Sequence, residues 1–159
     1  MKEVELLVNK VAVYDEVAKE TSYESVKMLP SDESAYERIF TTDEDRELLE
    51  RYWVETCNAV TGEMKRYLKS VSEQPISRGI DLSKNYQLRL EVPSSFDDRL
   101  VGSIETGLHS VFVSSILSRW YEIVDKPDDA TRYASRSEEY LRSVMSKVWY
   151  KMRPRRVAP

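Results

Sequence analysis

Residues 97–152 read DDRLVGSIETGLHSVFVSSILSRWYEIVDKPDDATRYASRSEEYLRSVMSKVWYKM, two amphipathic patterns joined by a short turn, and they decide the fold. A serine with an aspartate three residues later, at Ser94 or Ser95, is a capping box and predicts a helix start. From there to about Val124, apolar residues recur every three or four positions, which is helical spacing. These residues are Leu100, Ile104, Leu108, Val111, Phe112, Ile116, Trp120 and Ile123.

The turn at residues 125–128, Asp-Lys-Pro-Asp, ends this helix, and another helix is predicted to follow it. Pro154 stops that last helix, because proline lacks the backbone N–H that a helix interior needs. A short connection between two long helices predicts an antiparallel hairpin. The predicted apolar face of the last helix comprises Ala134, Leu141, Met145, Val148 and Met152.

Two further helices are predicted upstream. Residues 3–19 place Val4, Leu7, Val11, Tyr14 and Ala18 at helical spacing. Residues 21–42 form a connector, and the next helix opens at Thr41 or Thr42, where Glu44 can complete a capping box. That helix is predicted to reach about residue 71 through Leu49, Trp53, Val60, Met64, Leu68 and Val71.

Between Pro75 and Pro93 the apolar period changes from 3.6 to 2. The alternation of Tyr86, Leu88, Leu90 and Val92 with polar residues predicts a half-buried strand. Its hairpin partner could include Ile80 and Leu82. A lone hairpin is marginally stable, so this one should pack on helices or pair with a strand of another subunit.

These patterns predict a mainly α fold, a bundle of four principal helices with a short inserted β-strand or hairpin near residues 76–92. The length of 159 residues suits one domain, and no Gly/Ser/Pro-rich linker divides the chain. We predict a single helical domain over 1–159. It comprises an N-terminal helix and connector at 1–42, core helices at 43–152 and a basic tail at 153–159.

The composition favours an intracellular protein. The chain has one cysteine, Cys57, so an internal disulfide is excluded. The first ten residues, MKEVELLVNK, lack the apolar core and cleavage site of a signal peptide. No run of about eighteen apolar residues is evident, so we predict no membrane span.

The sequence offers little for catalysis. His109 lies beside an apolar stripe without a flanking triad motif, which favours a packing or surface role. Cys57 lies mid-helix without a cationic cluster, which favours an inert thiol. Glu44, Glu47 and Glu50 match only the first half of the ExxE and ExxD pattern of helical pyrophosphohydrolases, so a solvated face is favoured. No phosphate-loop or zinc motif occurs, and we predict no enzymatic activity, metal or cofactor.

Charge is unevenly distributed along the chain. Residues 1–50 hold fourteen acids and six bases, whereas residues 140–159 hold six bases and no acid. The basic end could solubilise the chain, contact nucleic acid phosphates or dock on an acidic protein surface. Its candidate partner-binding residues are Lys147, Lys151, Arg153, Arg155, Arg156, Trp149 and Tyr150.

Ten tyrosines and three tryptophans are many for this length. Tyr36, Tyr52, Tyr133 and Tyr150 fall off the main apolar stripes. Aromatic residues are enriched in protein–protein interfaces. For these four tyrosines, a position in an interface and ordinary packing between helices are therefore both possible.

The layout resembles the small helical neck proteins of tailed bacteriophages and prophages, known as head–tail connectors or adaptors. The resemblance covers most of residues 40–156. It rests on the long helix DEDRELLERYWVETCNAVTGEMKRYL, the inserted strand and the closing hairpin that ends in MRPRR. It carries no diagnostic motif, and residues 1–40 do not share it.

The resemblance implies a virion structural protein, made in the host cytoplasm, that forms a ring beneath the portal and contacts portal and tail proteins. An acidic end and a basic end are compatible with head-to-tail contact between identical copies. Two alternatives remain from the residues alone. One is a cytosolic regulatory or nucleic-acid-associated helical protein that uses the basic tail, and the other is a metal-dependent hydrolase.

Overall fold

The computed structural model describes residues 1–28, 30, 39–72 and 85–148. Within them the chain forms four α-helices and one three-stranded sheet, and two single 3₁₀ turns, at Asp43–Asp45 and Asp98–Leu100, precede helices. The elements in chain order are β1 (Lys2–Val8), α1 (Lys10–Met28), α2 (Arg46–Met64), β2 (Leu68–Val71), β3 (Tyr86–Val92), α3 (Val101–Ile123) and α4 (Pro127–Val148). The predicted mainly α class is confirmed.

The closing hairpin is the best-predicted part of the fold. Helices α3 and α4 pack along one another on either side of the turn at residues 124–126. Asp125 has φ of 61° in that turn, a left-handed conformation that aspartate tolerates better than most residues. Pro127 is the first residue of α4, where its missing N–H is not needed.

The buried face of α4 differs from the predicted one. Ala134 is exposed, whereas Tyr133, expected off the stripe, is buried and stacks on Tyr121 with ring centroids 5.5 Å apart. Met152 and Pro154 lie outside the described residues. The buried positions of α4 are Ala130, Tyr133, Val144 and Val148.

Strand β3 is confirmed, with alternate residues buried from Tyr86 to Val92. It is the central strand of an antiparallel sheet of order β1-β3-β2. The expected partner around Ile80 and Leu82 lies outside the described residues. Because β3 is paired on both sides, it does not need a strand from another subunit, and that argument for assembly fails.

The prediction of one helix over residues 3–19 is wrong at its start. Residues 2–8 form β1, and Val4, Leu6 and Val8 are buried on one face of the sheet. Leu7, which the helical spacing used, is 38% exposed. The helix begins after Asn9, whose side chain accepts a hydrogen bond from Ala12 N–H at 3.0 Å.

The predicted helix from Thr41 to residue 71 is too long. Helix α2 ends at Met64, and the next apolar residues lie in β2, where Leu68 pairs with Leu90 and Val71 with Leu88. These residues sit at a spacing that suits either structure. Pairing with β3 decides between them, and it is a contact that local sequence does not reveal.

The first helical turn before α2 follows Thr42, one of the two predicted start residues, but the hydrogen bonds at both helix starts use aspartates and not Glu44 or the serines. Asp45, and not Glu44, accepts hydrogen bonds from Thr42 N–H at 2.8 Å and from the Thr42 hydroxyl at 3.1 Å. Ahead of α3 the capping residue is Asp97, whose carboxylate accepts from Arg99 N–H at 3.0 Å, and not Ser94 or Ser95.

One hydrophobic cluster receives residues from all of these helices and strands. At its centre the Trp53 ring lies 4.6 Å from the Phe112 ring, which lies 5.4 Å from Tyr86. Tyr52, expected off the stripe, is also buried. The Trp120 indole N–H donates to the Ile39 carbonyl at 2.6 Å, which ties the end of the connector to α3.

The segment Asp98–Ile123, which contains α3, is long and apolar enough to cross a membrane by length and composition. The expectation that no such stretch exists is therefore corrected. Eleven residues of α3 are buried, and α1, α2, α4 and β1 all pack against it. A helix at the centre of a protein core meets the same criteria, because it is apolar on most sides.

Candidate assembly surfaces

Helix α3 gives the molecule an axis, because the other helices lie alongside it. Helix α1 runs in the same direction, since Glu16 contacts His109 at 2.9 Å and Glu24 contacts Lys126 at 3.1 Å. Helix α4 runs in the opposite direction. At 1.5 Å per residue, the 23 residues of α3 separate its ends by about 34 Å.

Helix α2 also runs opposite to α3. Glu55 lies 3.8 Å from Arg119 in the C-terminal half of α3. Just after the end of α2, Tyr67 O accepts a hydrogen bond from Glu91 N–H at 2.7 Å. Glu91 belongs to β3, the strand that leads to the start of α3. The first turn of α2 is therefore placed near the C-terminal end of α3.

The end of the molecule at the C-terminus of α3 is acidic. Five exposed carboxylates there form no ion pair with any described residue. Three of them surround the connection between α3 and α4, and we call this segment, residues 122–128, the acidic turn. The five residues are Glu44, Glu47, Glu122, Asp125 and Asp128.

Many other acids of the first fifty residues form contacts with other residues of the same molecule. Besides the α1 contacts above, Glu3 pairs with Lys69 at 2.8 Å on the outer face of the sheet. The Lys69 ammonium lowers the pKa of Glu3 through a hydrogen bond and its charge. Fewer acids of residues 1–50 are therefore available to a partner than the composition alone suggests.

Towards the opposite end of the molecule, α4 carries two bases that no described carboxylate neutralises. Arg142 and Lys147 of α4 form no ion pair within the described ranges, and Lys147 Nζ donates to Ser103 Oγ at 2.6 Å. Of the seven candidate partner-binding residues, Lys147 is therefore placed beside the first turn of α3. The other six lie outside the described residues, namely Trp149, Tyr150, Lys151, Arg153, Arg155 and Arg156.

Beside Lys147 a groove of about 480 Å³ runs between the N-terminal half of α3 and the C-terminal half of α4. We call it the hydroxyl groove. Small residues on α3 keep it open, and no described residue that lines it is acidic. Hydroxyl and ammonium groups can both donate hydrogen bonds to an anion. The lining residues are Gly102, Ser103, Thr106, Gly107, Ser110, Tyr140, Ser143 and Lys147.

The core contains an ion pair that the sequence analysis missed. Lys10 is fully buried, and its ammonium pairs with Glu50, which also accepts a hydrogen bond from the Tyr14 hydroxyl at 2.9 Å. Lys10 Nζ lies 5.7 Å from the Tyr14 ring and 5.8 Å from the Trp53 ring. The pair joins the start of α1 to α2, and no local sequence signal marks it.

The other residues considered for chemistry are dispersed. His109 contacts Glu16, and Glu50 lies in the core, away from the exposed Glu47. Burial raises the pKa of the Cys57 thiol, which disfavours the reactive thiolate. Among the described residues, no three His, Cys, Asp or Glu side chains come close enough together to hold a metal ion.

Within the described residues, unpaired acids therefore cluster at the C-terminal end of α3, and the unpaired bases Arg142 and Lys147 lie towards its other end. Comparisons of the chain with protein-family models, with curated proteins and with solved structures find no match.

Proposed function

We propose that this chain is a virion structural protein of a tailed bacteriophage, an oligomeric head–tail connector that joins the portal to the tail. The resemblance of residues 40–156 to neck adaptors supports this family. The observation that supports an assembly role is the cluster of unpaired acids at the C-terminal end of α3, together with the unpaired bases Arg142 and Lys147 of α4 towards the other end. In this proposal the protein works by binding its neighbours in the particle in a fixed geometry.

Opposite charges at opposite ends favour contact between the acidic end of one copy and the basic end of the next. Such a head-to-tail contact is heterologous, and it closes into a ring when the rotation between neighbours allows. Complementary charge speeds the encounter and suppresses like-to-like contacts. Self-association should therefore weaken as salt shortens the Debye length from about 8 Å at 0.15 M to about 3 Å at 1 M.

The same charges also suit the helix dipoles, because acids lie near the starts of α2 and α4 and Lys147 lies near the end of α4. The experiment must therefore separate folding from assembly. In the test variant Glu44, Glu47 and Glu122 become glutamine. In the matched control Glu63, Glu138 and Glu139, also exposed and without ion pairs within the described ranges, become glutamine.

Sedimentation velocity of both variants and the parent chain, with circular dichroism to verify folding, tests the proposal. We expect salt-sensitive oligomers for the parent and the control, and monomers for the test variant. A parent chain that stays monomeric at low salt, and whose gene does not lie beside portal, terminase and capsid genes, would contradict the proposed function.

A further inference from the structure

We infer that the acidic turn of one copy binds in the hydroxyl groove of the next copy. This inference rests on the proposed function, because it names the two surfaces that meet when the protein assembles. It commits to a second copy of this chain as the occupant of the groove.

The groove offers donors and lacks competing carboxylates among its described lining residues. Lys147 Nζ reaches Ser103, and the hydroxyls of Ser110 and Ser143 form no hydrogen bond with described residues. Tyr140, 40% exposed, stands at the rim with a ring and a hydroxyl. Ionised carboxylates only accept hydrogen bonds, so a surface of hydroxyls and an ammonium group complements them.

The acidic turn offers carboxylates that its own neighbours do not neutralise. Glu122, Asp125 and Asp128 are exposed and unpaired within the described residues. Lys126, which lies between them in the sequence, forms ion pairs with Asp129 at 3.0 Å and with Glu24 of α1. The positive charge in the turn is therefore used internally, and three acids remain available to a partner.

Charge also determines which surfaces of two copies face each other. A turn facing a turn places three acids against three acids, and a groove facing a groove places one Lys147 against another. Like charges that face each other across an interface cost affinity. Contact between a turn and a groove avoids both repulsions, and it has the head-to-tail geometry that a closed ring needs.

A substitution that fills the groove without straining the fold tests this contact. A Cβ at Gly102, which lines the groove, would meet nothing within 4 Å, so Gly102→Leu should fold while its side chain occupies the groove. The matched control is Gly62→Leu on α2, where a Cβ also meets nothing within 4 Å. We expect Gly102→Leu to weaken self-association at least about tenfold, and Gly62→Leu to leave it unchanged.

A charge exchange provides a second arm. Lys147→Glu alone should weaken self-association, because the groove then repels the acidic turn. The same chain with Glu122→Lys and Asp128→Lys added should recover self-association. Sedimentation velocity gives the association constant, and urea unfolding verifies that each variant is folded.

The outcomes separate this inference from the proposed function. If the parent chain assembles and Gly102→Leu assembles as well as Gly62→Leu, the inference is overturned and the proposed function stands. If the parent chain does not self-associate, the inference fails, and the proposed function fails with it when the gene also lies away from portal, terminase and capsid genes. If the groove variants lose binding to duplex DNA while self-association is unchanged, the groove takes phosphates, and the inference is wrong.

Discussion

Gly107 of α3 faces Val144 of α4 so closely that a Cβ at position 107 would lie 2.6 Å from Val144 Cγ2. Val144 is fully buried, and a β-branched side chain has few rotamers through which to withdraw. The close approach of the two helices therefore depends on the missing side chain at position 107.

Gly107→Ala should destabilise the protein. Overpacking typically costs about 1–3 kcal/mol, and the better helix propensity of alanine returns at most about 1 kcal/mol. Gly102→Ala, with open space at its Cβ, is the control and should be neutral or stabilising. Urea unfolding compares the two, and equal midpoints would show that α4 shifts away from α3 at little cost.

Removing one member of the buried ion pair should be costly. Lys10→Met leaves the Glu50 carboxylate in the core without its ammonium partner, a change that typically costs about 3–5 kcal/mol. Lys10→Met combined with Glu50→Leu should recover much of that loss, because no buried charge then remains. A double-mutant cycle measured by urea unfolding tests this. Additive losses would mean that the two charges do not interact in the folded protein.

Tyr121 and Tyr14 should respond in opposite ways to loss of their hydroxyls. The Tyr121 hydroxyl is buried without a hydrogen-bond partner among the described residues, so Tyr121→Phe should be neutral or stabilising at pH 7. Tyr14→Phe removes the hydrogen bond to Glu50 and should cost about 1.5–3 kcal/mol. Thermal or urea unfolding at pH 7 measures the stability of both variants. A destabilised Tyr121→Phe would contradict the view that the Tyr121 hydroxyl has no hydrogen-bond partner.

Stability should fall at alkaline pH. Burial raises the pKa of Tyr121 far above its usual value near 10, with a smaller contribution from Tyr133 and nearby carboxylates. Above about pH 10 the unfolded chain loses this proton while the folded chain keeps it, so the free energy of unfolding decreases as pH rises. Tyr121→Phe should make this decrease less steep. An unchanged slope between pH 9 and 11 would show that the group does not contribute.

Deleting residues 153–159 should leave the fold intact, because the described core ends at Val148. If the tail docks on an acidic neighbour, self-association should weaken while circular dichroism is unchanged. If it grips duplex DNA, the truncation should instead abolish a DNA affinity that falls by orders of magnitude between low and physiological salt. Sedimentation and DNA binding at several salt concentrations distinguish the two, and unchanged assembly would exclude docking by the tail.

Local periodicity predicted the elements whose partners are close in sequence. The α3–α4 hairpin and the alternation in β3 followed from spacing alone. Strand β1 was missed because Val4 and Leu7 also fit a helix, and only pairing with β3 shows that Leu7 faces outwards. The end of α2 was misplaced for the same reason, since β2 exists only through its pairing with β3.

The candidate surfaces were predicted only in outline. The composition indicated an acidic end and a basic end, but it could not show that Glu16 and Glu24 contact residues of the closing hairpin and its turn. The hydroxyl groove depends on two helices approaching through Gly107, and Lys10 meets Glu50 across forty residues of chain. Such contacts arise from tertiary packing, which a single sequence does not encode in its spacing.

The register of the sheet has a consequence for synthesis. Lys2 pairs with Val92 and Val8 with Tyr86, so β1 cannot pair until the ribosome has added 78 to 90 further residues. At about 5–20 residues per second, the nascent strand waits for roughly 4–18 seconds. During this time its unpaired edge can form backbone hydrogen bonds with the same strand of another nascent chain. The adjacent Glu3 and Glu5 place like charges opposite one another in such a pair, which opposes it.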